Sequence, residues 1–491
     1  MLFDYQTIDN QPVKMKDVFY GLRPFQKAEL LIMMLLALAI PFYWLAAQYC
    51  EVALFVCAVL KFIFDQNFKL NKLQMKLTWA YIVFALTWLI YLIGMIYTEN
   101  TSEGWNQVSK KLGFLIFPVI FIISDMSYMN KTRLKAIGNS IILGCILFFM
   151  MNLVHAVLDL ICNCVTSDRF FDDELMQLYY VHHSYLSMYA EIGLMFCFMG
   201  IFETNERKVK IINIIAYIIL VIFIILIKSR AGLLWMVMTF VLQWIWLTFI
   251  MKNKKLGYLM GGIFFLAVIG ASIAFPRSVS RISTTVTNIK SEHTSDHRLV
   301  QFNGYKSVLE ENWLFGVGTG DRTEATQAAY HVYKAGIIEK IGPEMASKID
   351  QITACEYYEP TEEMREDMMA KAVKYGRDPE VISKYLVDYL YINYAIDKTI
   401  NAHNMIFETL ISVGIVGVLL LLAYFVIPLI LWIKKRKFDM LYFSFLMMIG
   451  FNMLFESVFE VQMGIIFFCF FNSLLFRENF ISENLLKTTE K

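Results

Sequence analysis

The sequence predicts an all-α polytopic membrane protein with about twelve transmembrane helices and one long, mostly helical loop between the ninth and tenth. Three observations carry that prediction. The 491 residues are 58% hydrophobic and only 18% charged, against about 45–50% and 25% for a soluble domain. Apolar runs of bilayer-crossing length recur along the chain. Clusters of Lys and Arg fall in alternate loops between them. Lys+Arg 44 against Asp+Glu 43 leaves a net charge of +1, so the basic excess of a nucleic-acid binder is missing. Pro 9 and Gly 24 exclude collagen-like and low-complexity chains.

Residues 1–28 are mixed polar and read as a cytoplasmic segment. They lack the short apolar run and small-residue cleavage site of a signal peptide. Apolar runs follow at 29–48, 50–66, 77–97, 111–126, 136–160, 184–202, 211–228, 231–250 and 257–275. These make helices 1–9 of a membrane region over 29–275. The second and fourth are short, and Lys61 and Asp65 sit near the inner end of the second. Runs at 404–433, 439–456 and 459–476 make helices 10–12 within 402–476, and 477–491 is a cytoplasmic tail.

Orientation follows from the basic loops. Lys69, Lys72 and Lys76 share one loop; Lys131, Arg133 and Lys135 the next but one; then Arg207, Lys208 and Lys210; then Lys252, Lys254 and Lys255; then Lys434, Lys435, Arg436 and Lys437. With twelve spans all of them face one side, which the positive-inside rule makes the cytoplasm. Residues 276–401 are polar, mixed in charge and outside, a periplasmic loop domain long enough to escape the charge rule. Within it, Met364, Met368, Met369, Ala372 and Val373, then Ile382, Leu386, Tyr389 and Leu390, repeat at helical spacing.

The eight Cys form no CxxC and no zinc spacing. Cys162 or Cys164 bridged to Cys355 is one pairing open to the chain. No HExxH exists, and His182 and His183, adjacent in sequence, would point apart on a helix; no metal is expected.

The polar signals gather on the outer side. His403 lies in Asn401-Ala402-His403-Asn404, at the N-terminus of helix 10, where the helix dipole favours neutral imidazole. Such an imidazole accepts a proton; the alternative is a capping or interfacial histidine. Arg230 lies in Lys228-Ser229-Arg230-Ala231-Gly232, where two apolar runs meet almost without a loop. A cation so close to hydrocarbon is a functional candidate, against the alternative of snorkelling. Arg298 follows Asp296-His297, and Gly316-Val317-Gly318-Thr319-Gly320-Asp321 lies downstream. That glycine-rich turn either aims N–H groups at an anion or is a plain turn; it is not a Walker loop. Lys110 and Lys111 head helix 4. His183 and Tyr185 open helix 6, and Glu456 and Glu460 lie four apart near the junction of helices 11 and 12.

These features together resemble the O-antigen ligase family, membrane glycan transferases related to the O-antigen polymerases. The matching residues are Ser229-Arg230-Ala231-Gly232, then Arg298 with Gly316-Val317-Gly318-Thr319-Gly320. Asn401-Ala402-His403-Asn404 follows, with Glu408, Leu410, Gly414 and Gly417 behind it. The resemblance covers roughly residues 60–475 and implies a GT-C-like fold. It implies a glycan taken from undecaprenyl pyrophosphate at the outer leaflet of a bacterial inner membrane and joined to an acceptor hydroxyl, lipid A–core for a ligase. It implies His403 as the base, Arg230 and Arg298 on the pyrophosphate, and no cofactor. Lys110 or Lys111 would add a phosphate contact, and His183, Tyr185, His297 and Glu456 would support the site or the acceptor. The polymerases share the chemistry with another lipid-linked repeat unit as acceptor. From another class, a glycolipid transporter should carry ionisable residues at the bilayer midplane, where these runs look almost free of charge.

The topology has a direct test. A cysteine replacing Lys340 reacts with an impermeant thiol reagent in cells stripped of their outer barrier, and one replacing Lys254 does not. The reverse labelling would invert the site's side of the membrane.

Overall fold

A computed structural model describes residues 15–163, 167–176, 178, 181–262, 297–352, 360, 362–400, 403–436 and 438–481. It is all-α among those residues, with no strand. Eight helices are long and apolar enough to cross a membrane, and Thr78–Gly94 and Met440–Met453 are shorter apolar helices. The chain is therefore a multi-pass, all-helical membrane protein. Most of the ninth expected run, the Cys164 and Cys355 half of the disulfide pairing, and the segment 263–296 lie outside the described residues.

The chain divides into two compact units: residues 1–89, 109–261 and 419–491, and residues 90–108 and 262–418. In chain order the helices are α1 (Met15–Phe19), α2 (Pro24–Ala39), α3 (Trp44–Phe64), α4 (Lys72–Gly94), α5 (Thr101–Lys110), α6 (Gly113–Ile123) and α7 (Lys131–Asn163). Then come α8 (Asp172–Leu175), α9 (His183–Phe202), α10 (Arg207–Ile227) and α11 (Arg230–Ile245). The polar segment carries α12 (His297–Asn312), α13 (Arg322–Ile341), α14 (Pro343–Ile352), α15 (Glu362–Lys374) and α16 (Pro379–Asp397). The last three are α17 (Met405–Lys435), α18 (Met440–Met453) and α19 (Gln462–Ile481).

Two boundaries depart from the sequence expectation. The run at 29–48 is broken, with α2 ending at Ala39 and α3 beginning at Trp44. Pro41 is the cause, because its ring and missing N–H bar a continuous helix. The run at 111–126 falls in a 23-residue candidate span, Thr101–Ile123, whose first part, α5, is polar.

In the first unit α9 and α19 are the buried helices. Every residue from Ser184 to Phe198 is buried, and α9 packs on α7, α10, α11 and α18. α19 packs on α3, α6 and α18, with Phe467, Phe468, Phe470 and Phe471 fully inside. The outer helices keep an apolar face open, as Ile211, Ile212, Ile215 and Ile218 of α10 do, which suits a lipid boundary.

One end of this unit is tied by charge. Lys61 and Glu29 are fully buried and 2.5 Å apart. Lys61 Nζ also donates to Ser124 Oγ at 2.9 Å and to the Asp125 carbonyl at 2.6 Å. Tyr128 donates to Glu29 at 2.8 Å. Arg133, read from sequence as one of a loop cluster, is buried and donates to the carbonyls of Val18 and Tyr20 at 2.9 Å. The spans are also not free of interior ionisable groups. Glu51 in α3 and Glu191 in the middle of α9 are both buried, and their apolar surroundings had hidden them in the sequence pattern.

The second unit has its own core. Ile337, Ile341, Met345, Ile349, Met368, Ala372, Ile382, Leu386, Tyr389 and Leu390 form one cluster from α13 to α16. The helical stripe read from sequence supplies most of the second half of it. Val373 is the exception at 67% exposure. Asp378 separates α15 from α16, its side chain accepting from Glu380 N at 2.9 Å with Pro379 in the first turn, a strong start signal.

The Gly316–Gly320 turn does backbone work. Val317 N donates to the Ile411 carbonyl at 2.8 Å, Gly318 N to Ser412 O at 3.1 Å, and Ile415 N to Trp313 O at 2.9 Å. α17 is interrupted to allow this, at Gly414 with φ 68° and ψ −166°. Asp321 then accepts from the N–H groups of Glu99 and Asn100 at 2.8 and 2.7 Å. So the N–H groups of Val317 and Gly318 are spent on α17 rather than offered to an anion.

A Cβ at Gly414 would stand 2.1 Å from the Leu314 carbonyl, on a backbone that L-residues disfavour. Gly414→Ala is expected to lower stability by about 2–4 kcal/mol, read as a lower thermal midpoint in detergent. Val373→Ala should stay within about 0.5 kcal/mol. An unchanged midpoint for Gly414→Ala would mean the break in α17 does not hold this unit.

Candidate functional site

Lys110, Lys111, His183, Tyr185, Arg230 and Glu456 belong to the first unit, and Lys111 and Tyr185 both meet the segment 456–460 that holds Glu456. α9 starts at His183, with His182 as its N-cap. Because His182 stands outside the helix, the two rings do not diverge as expected; they stack with centroids 4.1 Å apart. One residue on, Ser184 Oγ donates to Glu456 at 3.1 Å. Tyr185 OH donates to the Ser457 carbonyl at 3.4 Å. Lys111, only 1% exposed, pairs with Glu460 at 3.0 Å. Lys110, at the end of α5, is half-buried and forms no ion pair among the described residues.

Arg230 heads α11 directly after α10. Lys228 ends α10 in a left-handed conformation, φ 51°, with its Nζ 4.0 Å from the Phe171 ring centroid. Ser229 caps α11, its Oγ accepting from Gly232 N at 3.2 Å. A Cβ on Gly232 would sit 2.4 Å from Ser187 Cβ, so the start of α11 presses on the first turn of α9. Arg230 therefore begins its helix beside the segment that carries His183, Ser184 and Tyr185. Its side chain lies outside the described residues. An arginine in the first turn opposes the helix dipole, which is the physical reason to look for an anionic partner there.

His403, His297 and Arg298 belong to the second unit. His297 and Arg298 are the first residues of α12, and their side chains lie outside the described residues. His403 is exposed and left-handed, φ 44°. The cap of α17 is Asn404, whose Oδ1 accepts from the N–H groups of Ile406 and Phe407 at 3.0 and 3.1 Å. Capping is thus done by the neighbour, and His403 keeps a conformation that costs about 1–2 kcal/mol in a non-glycine residue.

One turn along, Glu408 is buried and forms an ion pair with Arg322. Tyr305 and Tyr330 lie in the same core, ring centroids 5.8 Å apart. Burial, and then the neighbouring phenols and Glu408, push both hydroxyls well above the ordinary tyrosine range. Sequence reading missed Arg322. The available signal was a cation in the first turn of α13, where the dipole makes it unwelcome unless paired.

The Lys111–Glu460 pair decides what Lys111 does. Removing one partner of a buried pair costs about 3–5 kcal/mol, whereas an apolar replacement of both is often neutral. Lys111→Ala is expected to fall by that amount in thermal unfolding. The double variant Lys111→Met, Glu460→Leu should recover most of it. Equal loss in both would show that Lys111 serves something other than Glu460.

No known protein family matches the chain, and no curated protein matches it. What the fold establishes is a multi-pass, all-helical membrane protein with eight candidate spans among its described residues.

Proposed function

We propose that the protein is a membrane glycosyltransferase. It moves a glycan from undecaprenyl pyrophosphate to an acceptor hydroxyl at the periplasmic face of a bacterial inner membrane, as an O-antigen ligase does with lipid A–core. The observation that carries this reading is Arg230 at the head of α11, pressed by Gly232 against the first turn of α9. Lys111, Ser184, Tyr185, Glu456 and Glu460 interlock around that turn and segment 456–460. It is supported by the order of the motifs around Arg230, Arg298 and His403 and by the multi-pass, all-helical fold, with the sidedness expected from the basic loops.

The chemistry suits those residue types. The donor brings its own leaving group, so no nucleotide is called for. Cleaving the sugar–pyrophosphate bond builds negative charge, which guanidinium groups meet with paired N–H donors. Charge stabilisation of this kind is commonly the largest catalytic contribution. With Lys111 committed to Glu460, Lys110 is the lysine left for a phosphate oxygen. His403, exposed beside the Asn404 cap, takes the proton of the acceptor hydroxyl as that oxygen attacks the anomeric carbon.

The same chemistry serves a repeat-unit polymerase. A glycolipid transporter is a second reading, favoured by Glu51 and Glu191 buried in the helices, since intramembrane carboxyls mark transport paths.

Purified variants separate the roles. His403→Ala should bind the lipid-linked donor normally and lose about 10²–10⁴-fold in transfer rate. Arg230→Ala should lose donor affinity and rate together, and Arg230→Lys should restore only part, having charge without the fork. EDTA should leave the rate unchanged. Full activity of His403→Ala would move the base elsewhere, with His297 next; full activity and binding in Arg230→Ala would leave that arginine an interfacial anchor.

A further inference from the structure

Glu191 is the ninth residue of α9 and is 1% exposed. One carboxyl oxygen, Oε2, accepts from Thr239 Oγ1 of α11 at 3.0 Å. The other, Oε1, is buried with no hydrogen-bond partner, and so is Ser444 Oγ of α18. Both residues line one cavity, whose other walls are apolar, among them Ile192, Met195, Trp235 and Met448. The space open to the centre of a water molecule is about 10 Å³, close to what one water needs.

The groups facing Glu191 carry no charge. α11 presents Thr239 and Gln243, and Gln243 is occupied by Tyr217 of α10 at 2.7 Å. α18 presents Ser444. α10 brings the Tyr217 phenol within electrostatic range. No Lys, Arg or His pairs with Glu191 among the described residues. A hard metal cation asks for about six oxygens, and this cavity offers those of Glu191 and Ser444. An unpaired carboxylate in hydrocarbon is costly, and two orphaned polar atoms facing one small cavity need a shared partner.

We propose that Glu191 is a proton-binding group and that a single water in this cavity joins its free oxygen to Ser444. A proton passed from hydronium of the aqueous phase, which is left as water, forms an O–H bond at Oε1 and makes a carboxylic acid; that O–H donates to the bound water, and the water donates to Ser444 Oγ. Release breaks the O–H bond and returns the proton to solvent water. The inference stands apart from the glycan-transfer reading, because it uses neither Arg230 nor His403.

The test is infrared difference spectroscopy on the purified full chain, wild type minus Glu191→Gln, in H₂O and D₂O over about pH 5 to 8. A carboxylic-acid C=O band assigned to Glu191 should appear near neutral pH and shift in D₂O. Ser444→Ala should move its frequency, because the water loses its far partner. Glu191→Gln should keep the thermal midpoint within a few degrees, the neutral amide still accepting from Thr239. If that variant fails to fold, Glu191→Asp supplies the difference spectrum and Ser444→Ala the frequency shift. Absence of the band across the pH range would overturn the proton site. A band indifferent to Ser444→Ala would overturn the water bridge.

Discussion

Every charge carried into the helices of the first unit has to be answered from within the chain, because hydrocarbon offers it nothing. That constraint shapes both ends of the unit. At one end Lys61 and Glu29 are locked with Ser124 and Tyr128. At the other, Lys111 and Glu460 join α6 to the segment before α19, while Ser184 and Glu456 join α9 to the same segment. The result is a pre-organised end in which the start of α11 is held against α9 by the closeness that only a glycine at 232 permits.

The second unit solves a different problem. It must hold polar helices together, and it does so with an apolar cluster among α13–α16 and a backbone splice. α17 gives up its continuity at Gly414 so that the strand-like stretch through Val317 and Gly318 reaches its carbonyls. The Arg322–Glu408 pair lies one turn beyond the Asn404 cap. The backbone at His403 is thereby fixed by a neighbour that caps in its place. A strained, exposed histidine kept next to a satisfied cap is the kind of outlier from which a function is reasonably argued.

Much of this was legible in the sequence, for identifiable reasons. Helix α9 was readable because twenty residues from His183 onward are almost wholly apolar. The stripe Met368, Ala372, Ile382 and Leu386 was readable because its spacing is that of a buried helix face. The closeness of α10 and α11 at Arg230 was readable because no loop residues separate the two runs. What escaped depends on partners distant in sequence. Lys111 looked like a free cation until Glu460, remote in sequence, was brought to it. Arg133 looked like part of a loop cluster but serves the carbonyls of Val18 and Tyr20. The turn at Gly316–Gly320 looked able to hold an anion, and only the break at Gly414 shows where its N–H groups go. Glu191 was overlooked because a single carboxyl barely changes the hydropathy of a long apolar run.

Glycan transfer is tested most directly by reconstitution. Wild-type protein is placed in vesicles with labelled undecaprenyl-pyrophosphate-linked glycan and a glycolipid acceptor on the same face, with no nucleotide added. The account predicts that label becomes covalently joined to the acceptor and that undecaprenyl pyrophosphate is released in equal amount. Label that crosses the bilayer while still attached to its lipid carrier, with no acceptor product, would contradict the account and establish a transporter in its place.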